Sequence, residues 1–270
     1  MKILFPANTG NIKYYNTHYM YLLNLLRYAG IEIEMFNAKY VSEVCFHIFV
    51  DGQRVWIDFS DHYHICHLYD QKEPYFKFHY SKQRNGELKN VYPIGPVSFY
   101  NWVVFYTLRS TFRYKVANQI ICTNRPGGNA KERRQYVQDL LKKVYKSRAE
   151  INHRSPQTKF FDLIYNCMVL VSVPGARINI LDRSHLQFMG FGCCTISPKI
   201  DATLAFGNDV IANQHYIECK DDFSDLVEKI DFCEKNRDIC LKVGSEAQKL
   251  FDRSCSPGYI VKWMKECLNA

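Results

Sequence analysis

Hydrophobic positions along the first part of the chain follow the spacing of strands and helices in turn. An apolar run at 2–5 (KILF) precedes a segment in which apolar residues recur at helical spacing from Leu22 to Ala29, and Gly30 ends it. The run at 31–36 (IEIEMF) has the character of a second strand. Strand, helix and strand in this order predict a βαβ unit, whose two strands are parallel. Two more strands, VCFHIFV and VWIDFS, are predicted on either side of the turn DGQ.

The second half of the chain repeats this alternation. The strand VANQIICT precedes a long amphipathic helix, and the buried strand MVLVSV precedes a helix predicted to start near Ile180 and the strand CCTIS. Paired helices and a terminal helix complete the pattern. We therefore predict an α/β protein of two Rossmann-like halves facing a cleft, residues 1–115 and 116–270, joined near Val103 to Val116. Ligands of such sheets bind outside the carboxyl ends of the strands.

The net charge changes the picture by indicating an anionic partner. The 270 residues include 35 Lys and Arg against 27 Asp and Glu, a formal net charge of +8. Such a balance favours nucleic acid, a membrane surface or a phosphorylated small molecule. Apart from one cluster (AKERRQ and LKKVYKSR) the charge is scattered, which argues against an extended nucleic-acid tract.

The cysteines and the apolar runs indicate a cytoplasmic protein with reduced thiols. No window approaches the roughly 20 apolar residues of a membrane span, and the first apolar run is too short for a signal peptide. The eleven cysteines include no CxxC pair, so we expect free, mostly buried thiols. His62, His64, Cys66 and His67 (DHYHICH) suggest zinc ligands, but their spacing matches no structural zinc pattern, and a polar loop is favoured.

The loop after the strand MVLVSV combines several features of an anion site. Gly175 allows close approach of the backbone, and Arg177 and Arg183 can form forked contacts to phosphate oxygens. The N-terminus of the following helix adds a positive partial charge. A solvated loop is the alternative, but the combination of these features favours a diphosphate site.

The same segment, PGARINILDRSHLQFMGFGCCTIS, resembles the donor site of GT-B glycosyltransferases. In that site a loop and an arginine-bearing helix precede a small-residue turn and a strand. The exostosin-like and protein O-glucosyltransferase-like groups are most similar, and the stretch from QHYIECK to QKLF resembles their C-terminal region. In the first half, VWIDFSDH and EPYFKFHYS resemble a DxSD and YFK signature of sugar transferases.

This resemblance implies a GT-B fold and transfer of a hexose or pentose from a UDP- or GDP-linked sugar to a glycan or glycoconjugate. Arginines would stabilise the charge that develops on the leaving phosphates, so neither a metal nor a cofactor is expected. Many such enzymes have a glutamate on the donor helix that binds the ribose, whereas this chain reads SHLQ there. Gln187 or His185 is the candidate to bind the ribose in its place. The predicted donor-binding residues are Arg177, Arg183, Arg125, Gly175, Ser184 and Gln187.

An inverting transfer also needs a base for the acceptor hydroxyl. Asp61 and Asp58 follow or end an apolar strand, and His18 follows the first loop. A turn or cap for Asp61 and a half-buried helical position for His18 are the alternatives. Lys77 either directs a cation into the cleft or lies on the surface.

Two other classes of protein remain open. A Rossmann-type oxidoreductase is disfavoured because no GxGxxG follows the first strand. A non-catalytic nucleotide- or nucleic-acid-binding module is supported by the net charge and the aromatic content, but nucleic acid is the less favoured partner.

Overall fold

The computed structural model describes residues 1–7, 16–37, 45–60, 62–66, 69, 72–95, 99, 101–111, 116–122, 124–151, 157–175 and 179–269. In these residues strands and helices alternate along the chain. The strands are β1 (Lys2–Pro6), β2 (Glu32–Phe36), β3 (Cys45–Val50), β4 (Gln53–Asp58), β5 (Tyr75–Lys77), β6 (Val91–Pro93), β7 (Val116–Ile121), β8 (Ala149–Glu150), β9 (Cys167–Val171), β10 (Cys194–Ser197), β11 (Thr203–Leu204), β12 (Asn208–Asp209) and β13 (Ile217–Glu218). The helices are α1 (Asn16–Tyr28), α2 (Lys82–Asn85), α3 (Trp102–Ser110), α4 (Lys131–Tyr145), α5 (Gln157–Asn166), α6 (Arg183–Gly190), α7 (Leu226–Lys235), α8 (Arg237–Cys255) and α9 (Pro257–Leu268).

The chain forms two compact units, and neither is a single continuous stretch. The first unit contains Met1–Trp102, Ala202–Asp209 and Arg253–Ala270, and the second contains Val103–Asp201 and Val210–Asp252. The second unit thus starts at Val103, before the predicted boundary at 115/116. The reason is that α3 packs with the second unit: the Phe105 ring lies 4.9 Å from that of Phe191.

The first unit is built on a six-stranded mixed sheet with the order β2-β1-β3-β4-β5-β6. The strands β1 and β2 pair in parallel through α1, as the βαβ prediction requires. Burial of Leu22, Leu25 and Leu26 explains the helical spacing of these residues. The predicted turn is a hairpin between β3 and β4, with both Asp51 and Gly52 at positive φ.

The second unit is built on a five-stranded sheet with the order β13-β10-β9-β7-β8, in which every pairing is parallel. Every residue of β9 is buried, which explains why this strand reads as an uninterrupted apolar run. On α4, Val137 and Leu141 are buried while the three lysines are exposed, which is the predicted amphipathic pattern.

The helix predicted to start near Ile180 begins at Arg183 instead. Asp182 is its N-cap: its backbone is extended, and its carboxylate accepts a hydrogen bond from the Ser184 amide in the first turn. Within the described part of the chain, no helix combines the length and the apolar character needed to cross a membrane.

Candidate functional site

The carboxyl ends of β7 and β9 bring two loops and the start of α6 together in the second unit. Asn124, on the loop after β7, links them. Its Oδ1 accepts a hydrogen bond from the Val173 amide at 2.8 Å, and its Nδ2 donates to Ser184 Oγ at 3.0 Å. Gln138 Nε2 on α4 donates to the Asn124 carbonyl at 2.8 Å. Asn124 is only 5% exposed, so its amide holds the ends of two strands and a helix in a fixed arrangement.

Two consecutive arginines of α4 bind the backbone of these loops. Arg134 donates from Nε to the Val173 carbonyl and from Nη1 to the Arg125 carbonyl, both at 3.0 Å. Arg133 Nη2 donates to the carbonyls of Pro174 at 2.9 Å and Gly175 at 2.6 Å. Some of the N–H donors of each arginine are therefore bound to backbone carbonyls of these loops and hold them in place.

The two guanidinium groups also create a positive field at this edge of the sheet. Burial lowers the pKa of Arg133, and the neighbouring charge of Arg134 lowers it further. Two like charges held side by side favour an anion between or beside them. Arg133 Nε is moreover buried without a hydrogen-bond partner, which leaves a donor to be satisfied.

A carboxylate of the chain itself occupies the start of α6. Asp182 Oδ1 accepts hydrogen bonds from the Ser184 amide at 2.9 Å and from Ser184 Oγ at 2.6 Å. Its Oδ2 pairs with Arg134 Nη2 at 3.1 Å. The helix N-terminus and one guanidinium therefore already face a negative charge, that of Asp182.

Most of the predicted donor residues that the structure describes lie at this edge. Arg183 is the exposed first residue of α6, and Arg125 is exposed on the loop whose carbonyl Arg134 binds. A Cβ built on Gly175 would lie 3.7 Å from Arg134 Nη2 and 3.9 Å from Asp182 Oδ2, so the glycine faces the ion pair at ordinary contact distance. Arg177 lies outside the described residues.

The ribose candidates lie deeper than the loop. Ser184 is half-buried and bound to Asn124 and Asp182, and Gln187 is 6% exposed. His185 is completely buried, with its ring edge against that of Tyr216 at 5.8 Å, and burial lowers its pKa to about 3. The suggestion that His185 contacts the ribose stays a prediction, and it requires this enclosed imidazole to become accessible.

In the first unit, Asp58 lies in a buried ion pair rather than on the surface. Lys77 Nζ and the Tyr75 hydroxyl each donate to Asp58 Oδ2 at 2.6 Å, and the Ser60 amide donates to Oδ1 at 2.7 Å. The side chains of Lys77 and Asp58 are 0% and 1% exposed. Burial, followed by the charge of Asp58, raises the pKa of Tyr75. The assignment of Asp58 as the base stays a prediction that requires this pair to open, and both expectations for Lys77 are wrong.

The other two candidates for the base are Asp61 and His18, and the structure describes only His18. Asp61 lies outside the described residues. His18 is half-buried on α1, and its ring stacks on Phe59 with centroids 5.6 Å apart and meets Phe78 edge-on. This is the half-buried helical position given above as the alternative, and its role in catalysis stays a prediction.

The zinc suggestion finds no support in the described residues. His62 and His64 are exposed with ring centroids 6.2 Å apart, and neither joins a group of metal-ligating atoms with Cys66 among the residues described. His67 lies outside them.

Sequence reasoning missed Asn124, Arg133, Arg134 and Asp182. Arg133 and Arg134 belong to the basic cluster AKERRQ, and their position in the first turn of a helix after a strand and loop is the signal that they face the sheet edge. The sequence LDRS places an aspartate two residues before a serine at a helix start, which is an N-cap pattern.

Comparison with known proteins identifies the fold. An α-glucosyltransferase in complex with UDP-glucose and DNA containing an abasic site is 11% identical, over 73% of this chain and 65% of that one, with a TM-score of 0.53. HepE from Anabaena in complex with UDP is 12% identical over 73% and 63%, with a TM-score of 0.47. A glycosyltransferase from Rickettsia africae is 13% identical over 72% and 63%, with a TM-score of 0.46. No family model and no curated protein matches the sequence.

The predicted fold class is therefore confirmed: the chain is an α/β protein with two Rossmann-like halves of the GT-B type. It spans just under two thirds of the length of these solved structures, 65% of the α-glucosyltransferase and 63% of HepE.

Proposed function

We propose that this protein is a glycosyltransferase that moves a sugar from a nucleotide-diphosphate sugar to a hydroxyl group. The observation that carries the proposal is the meeting of Arg133, Arg134 and the first turn of α6 at the carboxyl ends of β7 and β9. In open α/β sheets this edge is where ligands bind. An α-glucosyltransferase of the same fold was solved with UDP-glucose, which supports a uridine-linked donor.

The reaction needs positive charge at the leaving diphosphate. As the bond from the sugar to the phosphate breaks, negative charge grows on the phosphate oxygens, and fixed guanidinium groups can stabilise it. In this proposal the diphosphate displaces the Asp182 carboxylate from Arg134 and extends towards the exposed Arg183 and Arg125. Arginines then supply the charge that a metal supplies in other transferases, so we propose metal-independent transfer.

The acceptor hydroxyl loses its proton to a base, which we assign to Asp61, with His18 and then Asp58 as the next choices. Inversion at the sugar carbon follows from direct attack by that hydroxyl. A glycan or glycoconjugate acceptor and kinship with the exostosin-like and protein O-glucosyltransferase-like groups are carried by the sequence resemblance alone.

Nucleotide titration tests the donor site. UDP, GDP and NAD⁺ are titrated calorimetrically into the wild-type protein and into Arg134→Lys and Arg183→Ala. Loss of a charge-assisted hydrogen bond costs about 1.5–3 kcal/mol, so each variant is expected to bind UDP roughly 10- to 150-fold more weakly. Arg148→Ala is the control, because it removes an arginine of the same unit that pairs with Glu234 instead.

Two results would contradict the proposal: unchanged UDP affinity in both variants, or preferential binding of NAD⁺. Hydrolysis and transfer are then measured over a panel of nucleotide sugars with and without chelator. Activity that disappears with chelator and returns with Mn²⁺ would overturn metal independence, and nucleotide binding without turnover of any donor would favour a binding module.

A further inference from the structure

Three cysteines converge in the interior of the second unit, far apart in sequence. Cys194 lies on β10, Cys233 near the end of α7 and Cys240 in the first turn of α8. Their sulfur atoms all lie within 4.8 Å of one another, and all three residues are buried. They are the one group of metal-ligating side chains of this kind within the residues the structure describes.

Other buried cysteines of the same unit lie outside this group. The Cys193 thiol donates to the Ile164 carbonyl at 3.0 Å, and the Cys167 thiol to the Val169 carbonyl at 2.9 Å, as expected of thiols that act as small apolar residues. A contact to a backbone carbonyl does not distinguish them, because the Cys240 thiol also donates to the Cys233 carbonyl, at 3.5 Å. Cys219 lies in the same apolar core as the three but is not part of their group. Burial of cysteine therefore does not by itself bring sulfurs together in this protein.

The backbone is built to hold the three sulfurs close. One turn after Cys240, a Cβ on Gly244 would lie 2.3 Å from the Gly192 carbonyl oxygen. The missing side chain lets α8 lie directly on the turn that leads into β10, so Cys240 reaches Cys194. The N-terminal partial charge of α8 favours a thiolate at Cys240.

The spacing fits a bare metal ion. A triangle with sides of 4.8 Å has its centre about 2.8 Å from each corner, and metal–thiolate bonds are about 2.3 Å, so each sulfur needs to move inwards by roughly 0.5 Å at most. Structural zinc is almost always four-coordinate, whereas this group has three members within the described residues. Soft thiolates suit Cu(I) as well as zinc, and a set of only three among the described residues favours Cu(I) over four-coordinate zinc.

We propose that Cys194, Cys233 and Cys240 form a three-thiolate site for a soft monovalent ion, Cu(I), that ties β10 to α7 and α8. On binding, the three thiols release their protons to the solvent, and one Cu–S bond forms at each sulfur without any change of oxidation state. The site is independent of the proposed sugar transfer, in which no step uses a metal.

The test is an anaerobic titration of the reduced protein with Cu(I) held by a competing chelator. We expect one equivalent to bind, a sulfur-to-copper absorption band in the near ultraviolet, and a higher melting temperature as the ion binds the native state. Cys240→Ser and Cys233→Ala should lose this equivalent, while Cys219→Ala, the matched control from the same core, should keep it. Circular dichroism confirms that each variant is folded.

X-ray absorption of the copper-loaded wild type does not depend on any variant folding. Three sulfur neighbours and no nitrogen or oxygen would support the site. Absence of a tight equivalent in the reduced, folded protein, or retention of it by folded Cys240→Ser, would overturn the proposal. Preferential binding of Zn²⁺ with an oxygen or nitrogen neighbour would overturn the assignment to Cu(I).

Discussion

The buried pair of Lys77 and Asp58 should contribute more to stability than any exposed ion pair of the first unit. Lys77→Met removes the cation at nearly constant volume and leaves a carboxylate that is 1% exposed. Two hydrogen bonds to that carboxylate remain, from Tyr75 and the Ser60 amide, but they do not neutralise its charge. Breaking a buried pair by removing one partner costs about 3–5 kcal/mol, and we expect a loss in this range.

The assay is equilibrium unfolding in urea, followed by fluorescence and circular dichroism for Lys77→Met, Asp58→Asn and the double variant. The double variant should be more stable than the sum of the two single losses implies, by about 1–3 kcal/mol, because it no longer buries a lone charge. Lys2→Met is the control: its Nζ lies 2.7 Å from Glu34, but both side chains are about half exposed (49% and 52%), and such exposed pairs contribute little to stability.

A cost for Lys77→Met no larger than that for Lys2→Met would refute the reasoning. The same variants separate a structural from a catalytic Asp58. If the role of Asp58 is only structural, the transfer activity of Asp58→Asn should fall only as far as the folded fraction falls. If Asp58 is the catalytic base, the variant should lose turnover even when it is folded.

Three further predictions concern the second unit and the terminal helix. Asp182→Asn keeps the helix cap but frees Arg134 from its carboxylate, so calorimetry should show tighter UDP binding, and weaker binding would contradict the competition. Burial lowers the pKa of His185 to about 3, so below pH 6.5 this histidine is protonated in the unfolded chain but stays neutral in the native state. The free energy of unfolding should therefore fall by about 2 kcal/mol from pH 6.5 to 5. In urea titrations, His185→Leu should remove this dependence on pH. Gly244→Ala should cost about 2–3 kcal/mol because its Cβ meets a backbone carbonyl, while Gly258→Ala, with open space at its Cβ, should cost little; equal costs would contradict the close approach of α8.

The sequence predicts the elements that bury a continuous apolar face. The strand β9 and the helices α1, α4 and α8 have such faces, and their burial follows the predicted pattern. The strand β5 was missed because it is three residues long and one of them is Lys77, whose charge is matched only by a partner on a neighbouring strand. The spacing of hydrophobic residues along the sequence cannot reveal such an ion pair, because the pair forms only when two particular strands lie side by side.

The sequence predicts where in the fold the candidate site lies, but it identifies only some of the residues that form it. A glycine and arginines after a buried strand indicate a sheet edge, and Arg125 and Arg183 are found there. The contacts of Arg134 and Asn124 depend on how α4 lies against two loops, which is a matter of packing. The cysteine cluster is hidden for the same reason: α7 and α8 bring two of its members to a strand that ends long before them in sequence.

The discontinuity of the first unit has a consequence for synthesis of the chain. Its strands β1 to β6 leave the ribosome early, but α9 and the segment 202–209 belong to the same unit and are made much later. The Trp263 Nε1 donates to the Pro93 carbonyl at 2.7 Å, and the Lys82 amide donates to Thr203 Oγ1 at 3.1 Å. The second unit, whose residues all precede 253, can close first, so the half that is translated first is the last to be completed.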